Sequence, residues 1–234
     1  MSGMDIEYNK ILGSSMEIFA TKYPSIPAAQ ERIEEVAVPG MSGVLHIRKK
    51  CFEKTEIPIE FNYIGKEELW NEKWRQAKEW LSALNAELSM GDDANHFYRV
   101  SKVILGTNER VSRRIGRFVA TFVTKDGLSY LQQGNHAVDC SEVKYNPGVF
   151  SQPIYKITGE GVCTLSVNDK SMIANVSGNI VIDTELMLAY REDGTSQNTA
   201  VKGNYEDLYL QEGDNVITVS EGFECKVIPR WRCL

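Results

Sequence analysis

The chain has 234 residues, 42% of them hydrophobic and 25% charged, enough for one large or two modest domains that each bury a core. Its formal net charge of −6 argues against a nucleic-acid-binding surface by bulk electrostatics. No apolar run approaches the roughly eighteen residues of a membrane span, and MSGMDIEYNK lacks the basic and then apolar stretch of a signal peptide.

Residues 1–34 show weak helical spacing broken by Pro24 and Pro27, and read as irregular with short elements. Val36 to Ile47 reads as a strand or hairpin around Pro39-Gly40 and Gly43. Arg48 to Thr55, RKKCFEKT, reads as an exposed charged loop. Ile57, Ile59, Phe61 and Tyr63 then alternate with Pro58, Glu60 and Asn62, the period of a half-buried strand. Pro58 cannot donate to a ladder, so it belongs at an edge or at the strand's start.

Gly65 ends that strand and can cap a helix, with Glu67 and Glu68 favoured by the helix dipole in the first turn. The spacing predicts one helix over about 66–88. Trp70, Trp74, Ala77, Leu81, Leu84 and Leu88 form its apolar stripe, widened by Leu69 and Trp80. Such a one-sided helix needs a sheet or another helix beside it. Gly91-Asp92-Asp93 turns the chain into strands at Phe97–Leu105 and Gly116–Val123.

Asp126 to Tyr145 is polar and weakly patterned. Beyond the turn signal Asn146-Pro147-Gly148 the chain reads as β throughout. Short strands are predicted at Ile154–Thr158, Val162–Val167, Ile180–Asp183, Leu186–Tyr190, Val216–Ser220 and Phe223–Pro229, with turns every eight to twelve residues, as in a β-sandwich. Residues 1–145 hold 19 Lys/Arg against 20 Asp/Glu, and residues 146–234 hold 7 against 12, so the acidity lies in the second part. Two domains are therefore expected, 1–145 and 146–234.

Chemistry is hard to find. His46, His96 and His136 lie outside metal-ligand spacing of one another and of any cysteine. The five cysteines, Cys51, Cys140, Cys163, Cys225 and Cys233, include no close pair. They read as structural or inert thiols in a reducing compartment. Asp92-Asp93 reads as an acidic turn. Asp183 and Glu185 would share one strand face, while a glycosidase needs two carboxylates across a cleft. Arg110, Arg113, Arg114 and Arg117 could contact an anion or form one side of a subunit interface, where Arg is enriched; the interface is the better reading. No catalytic residue, cofactor or metal is expected.

The ordered series Ile57-Pro-Ile-Glu-Phe, Gly65, the long helix, Gly91-Asp-Asp, Phe97-Tyr-Arg-Val and Gly116-Arg-Phe-Val-Ala-Thr-Phe-Val resembles the N-terminal domain of siphophage distal tail proteins, the Dit family. Pro153-Ile-Tyr-Lys-Ile-Thr-Gly-Glu-Gly, Leu165-Ser-Val-Asn-Asp, Ile180-Val-Ile-Asp, Gly213-Asp-Asn and Ile228-Pro-Arg-Trp-Arg resemble that family's galectin-like C-terminal domain. The likeness implies a mainly β protein with one long helix, an α+β N-terminal domain akin to tail-tube proteins plus a galectin-like β-sandwich. It implies a non-enzymatic virion protein at the tail tip of a long non-contractile phage tail, assembled in the host bacterial cytoplasm. Such a protein forms a homo-oligomeric ring, usually a hexamer. The ring joins the tail tube to a tail-associated tip protein and to receptor-binding or other baseplate proteins. DNA only passes through its channel, with no specific nucleic-acid contact and no membrane partner. In some members an arm of the N-terminal domain embraces the neighbour; Arg48–Thr55 is the candidate here. Arg48, Lys49, Lys50, Arg110, Arg113 and Arg114 are the interface candidates. The alternative is a carbohydrate-binding accessory protein that contacts the host wall through its sandwich, although the sugar-binding motif of true galectins is missing.

Overall fold

A computed structural model describes residues 4–40 and 42–234, with Lys50 described in its backbone only. The chain is mainly β, with a single α-helix among the described residues. It divides into two compact units, Met1–Ser129 and Tyr130–Leu234. The division comes earlier than the expected 145/146. The polar stretch before Tyr145 is tied into the second unit, where Val138 and Asp139 pair with Val227 and Lys226 and Cys140 is bonded to Cys225.

In the first unit the strands are β1 (Ile6–Tyr8), β2 (Ile11–Leu12), β3 (Ile18–Ala20), β4 (Glu31–Ala37), β5 (Val44–Phe52), β6 (Glu56–Ile64), β7 (Ala86–Met90), β8 (Asp93–Leu105), β9 (Glu109–Arg110) and β10 (Ile115–Leu131), whose last two residues enter the second unit. Helix α1 spans Trp70–Trp80. The main sheet runs β2-β1-β7-β8-β10-β6-β3. Its far ends approach each other, because Met4, just before β1, bridges Ala20 of β3. The curled sheet thus nearly closes around its apolar face.

Alternation drives this curl. Ile57, Ile59, Phe61 and Tyr63 are buried, and across the ladder Phe61 faces Phe118, Ile59 faces Ala120 and Ile57 faces Phe122. Phe61 and Phe118 stack with centroids 5.3 Å apart. Pro58 lies beyond the reach of β3, which pairs only with Phe61–Tyr63, so it sits on an open edge as its missing N–H requires.

The helix is shorter than the spacing implies. A 3₁₀ turn at Glu67–Leu69 leads into α1, with Lys66 in place of Gly65 as its flanking residue. The Leu81 and Ser82 N–H groups close the end on the Ala77 and Glu79 carbonyls. Asn85 then takes a left-handed φ of 53° and the chain enters β7. Leu84 is exposed, and Leu88 is buried on a strand rather than a helix. Ala86, Leu88 and Met90 alternate at period two, and that pattern overlaps the helical stripe.

Trp80 anchors α1. It is 4% exposed, its Nε1 donates to the Tyr8 and Ile11 carbonyls at 3.1 and 3.2 Å, and its ring meets Phe61 edge-on. Trp74 is half-buried against Phe118 at 5.1 Å. Tyr8 donates its hydroxyl to the Ala83 carbonyl, and burial pushes its pKa up to about 12, so the phenol stays a donor. Gly116 faces Tyr63 across the ladder, and a Cβ there would stand 2.1 Å from the Tyr63 ring. Gly116→Ala is therefore expected to lower stability by about 1–3 kcal/mol, checked by urea unfolding.

In the second unit the strands are β11 (Val138–Asp139), β12 (Tyr145–Asn146), β13 (Ile154–Val167), β14 (Lys170–Asp183), β15 (Leu188–Tyr190), β16 (Val201–Lys202), β17 (Gly213–Asp214), β18 (Ile217–Val219), β19 (Glu224–Ile228) and β20 (Arg232–Cys233). The predicted breaks at Gly159–Gly161 and before Ile180 are absent. Each of β13 and β14 is continuous, and they form one long hairpin around Asn168-Asp169. Gly159 and Gly178 lie opposite each other with φ of 153° and 81°. The Phe223 ring occupies the space where a Gly159 Cβ would sit. Neighbours change at this bend. One half of β13 pairs with β19 and the other with β18, while β14 passes from β16 to β15. Glycine permits the corner that lets one hairpin serve both layers.

Charge follows this division. Residues 1–129 hold 18 Lys/Arg against 18 Asp/Glu, and residues 130–234 hold 8 against 14.

Candidate subunit interface

Strands β4 and β5 pair with each other and stand apart from the main sheet. The register places Ile33 opposite Arg48, Glu34 opposite Ile47, Glu35 opposite His46, Val36 opposite Leu45 and Ala37 opposite Val44. Opposed residues share a face. One face thus carries Ile33 and Val44, and the other carries Val36, Leu45 and Ile47. Ile33, Val38, Val44, Leu45 and Ile47 are 39–50% exposed. An isolated two-stranded hairpin is marginal in water, and apolar side chains exposed on both faces of one make it a candidate interaction surface.

The stretch Arg48–Thr55 is thus largely strand rather than loop: β5 runs to Phe52. Its cations are not held in reserve. Arg48 lies 3.6 Å from Glu31, Lys49 pairs with Glu34, and Arg32 and His46 approach Glu53 and Glu35. The Lys50 side chain lies outside the described residues. Among the described side chains, the hairpin's cations thus lie beside its own carboxylates, and it presents aliphatic side chains. The interface candidates expected from the sequence are charged and do not include Ile33, Leu45 or Ile47. Their available signal was an apolar residue at both strand parities between charged neighbours.

The other three candidates gather in the β9–β10 turn, on a separate element. Arg110 lies over the Trp70 ring at 5.1 Å, donates to the Arg113 carbonyl at 2.8 Å, and lies 3.9 Å from Glu67. Arg114 donates to the Gly65 carbonyl at 3.1 Å. Arg113 is exposed. Asn108 donates to the Tyr63 hydroxyl at 2.9 Å, which ties the turn to the core. Arg117 belongs elsewhere, paired with Glu60 on the outer sheet face at 3.1 Å.

Asp183 and Glu185 do not flank a cleft. Both reach the same guanidinium, that of Arg230, with Asp183 held by two bonds at 3.1 and 3.2 Å and Glu185 by one at 3.0 Å. Asp183 also accepts the Glu185 and Leu186 N–H groups. This triad pins the end of the chain to the end of β14. His96 lies 2.7 Å from Asp93. No group of three or more His, Cys, Asp or Glu that could hold a metal ion occurs among the described residues, and none of their helices is long and apolar enough to cross a membrane.

No family model matches the chain, and no curated protein matches it. Among solved structures it is similar to the crystal structure of the SPP1 Dit (gp 19.1) protein, described as a paradigm of the hub adsorption apparatus in phages that infect Gram-positive bacteria. The TM-score is 0.70 at 10% identity, over 96% of this chain and 97% of that one. The chain has the fold of that Dit protein.

Proposed function

We propose that the chain is a non-enzymatic structural subunit of a phage tail hub: a distal tail protein that forms a ring at the end of a long non-contractile tail. The observation that carries this reading is the β4–β5 hairpin, an apolar arm set on a Dit fold. Copies in a ring repeat one heterologous contact, and an arm on each copy that lies across the next is such a contact. Six copies are the expected number. The second unit, with a galectin-like layout, is the platform for tip and receptor-binding proteins.

The outer face of the main sheet suits a DNA channel. Glu60, Asn62 and Thr121 point to that side, and Arg117 spends its charge on Glu60. A lining of this kind lets a polyanion pass without gripping it.

Mass measurement and electron microscopy of the purified protein test the reading, with rings of about six copies and a central hole expected. Replacing Ile33, Leu45 and Ile47 with serine is expected to leave a folded monomer. Rings of the unaltered chain are expected to survive high salt, because the arm's charges are already paired within it. Rings that dissociate in salt would instead shift the interface to Arg110, Arg113 and Arg114. A strict monomer that binds glycans replaces the ring reading with the carbohydrate-binding one.

A further inference from the structure

Cys140 and Cys225 are bonded across a sequence separation of 85, with Cα atoms 5.7 Å apart, inside the range that a disulfide spans. Both are nearly buried, at 6% and 8% exposure. Cys140 opens a short 3₁₀ turn directly after β11, and Cys225 lies in β19, the strand that β11 pairs with. That pairing is only two residues long. Two further backbone bonds, from the Leu131 N–H to the Trp231 carbonyl and from the Arg230 N–H to the Gly134 carbonyl, help hold the segment by which the chain enters the second unit. The remaining cysteines, Cys51, Cys163 and Cys233, lie outside this disulfide.

We propose that Cys140 and Cys225 form a redox-sensitive staple: an open dithiol in a reducing compartment that closes when the protein meets a small-molecule disulfide. One thiolate attacks the small disulfide, forms a mixed disulfide and releases one small thiol. The second protein thiolate attacks the protein-bound sulfur and releases the other. Two protein thiols lose two protons and two electrons, and the small disulfide gains them. Closure restricts the unfolded chain over a long loop, the situation in which a cross-link stabilises most. It also adds a covalent link between β11 and β19, whose ladder is two residue pairs long. The five cysteines read as structural or inert thiols in the sequence, and the Cys140–Cys225 bond corrects that for two of them, because a pair so far apart in sequence has no spacing signature.

The experiment uses the full chain, incubated with oxidised glutathione, then unfolded and alkylated. Intact mass should show three alkyl groups, rising to five after prior reduction, with peptide mapping that links Cys140 to Cys225. The melting temperature of the second unit should rise on oxidation by on the order of 10 °C. A Cys140→Ser/Cys225→Ser variant should lose that redox dependence and, after oxidation, still take three alkyl groups. Five alkyl groups on the oxidised wild-type chain, a different linked pair, or an equal melting shift in the double variant would each overturn the proposal. The alkyl count stands even if the variant folds poorly, and none of these readings depends on ring assembly.

Discussion

Trp80→Ala is expected to lower the stability of the first unit by about 3–5 kcal/mol, the usual cost of emptying a large aromatic site. Three contributions are lost together. The indole area returns to water, the edge-on contact with Phe61 disappears, and two backbone carbonyls, of Tyr8 and Ile11, lose their shared donor. Because α1 is only eleven residues long, it cannot persist on its own propensity once its anchor is gone. Urea unfolding followed by circular dichroism reads the effect. Trp74→Ala is the comparison: Trp74 is half-buried, lies against Phe118 without a backbone bond, and should cost clearly less. An equal loss in the two variants would show that the stripe acts as one apolar sheet contact, without a hydrogen-bonded anchor.

Arg230→Met is expected to be the most damaging change in the second unit, at about 3–5 kcal/mol. Methionine keeps much of the bulk but leaves the Asp183 carboxylate, with its side chain only 3% exposed, without a counter-charge. Two backbone N–H groups would remain on it, and they cannot neutralise it. Adding Asp183→Asn to that background should recover part of the loss, because a neutral amide is cheaper to bury than an unpaired carboxylate. A loss under about 1 kcal/mol for Arg230→Met would mean that the triad behaves as a solvated surface pair.

These residues also show what could be read in advance. The strand at Ile57–Tyr63 was legible because one of its faces is buried and the other open, which writes period two into the chain. The helix start was legible from Glu67 and Glu68. Its end was not: Leu84 and Leu88 continue the helical spacing by coincidence, and the left-handed turn at Asn85 carries no periodic signal. The sequence predicts short strands where β13 and β14 run on, because Gly159 and Gly161 are strand breakers in most contexts. Here Gly159 and Gly178 form a corner, and Phe223 fills the space beside Gly159. The arm hid for a related reason. Its aliphatic residues fall at both parities, so neither pattern emerges. The Arg230 triad joins residues more than forty positions apart, a relation that only folding reveals.

The unequal charge of the two units bears on what happens before any partner arrives. The first unit combines an uncovered aliphatic hairpin with no net charge, a pairing that favours indiscriminate self-association and precipitation. The second unit, with its six excess negative charges, supplies the mutual repulsion that the first lacks. It can thus serve as a built-in dispersant that keeps newly made chains apart.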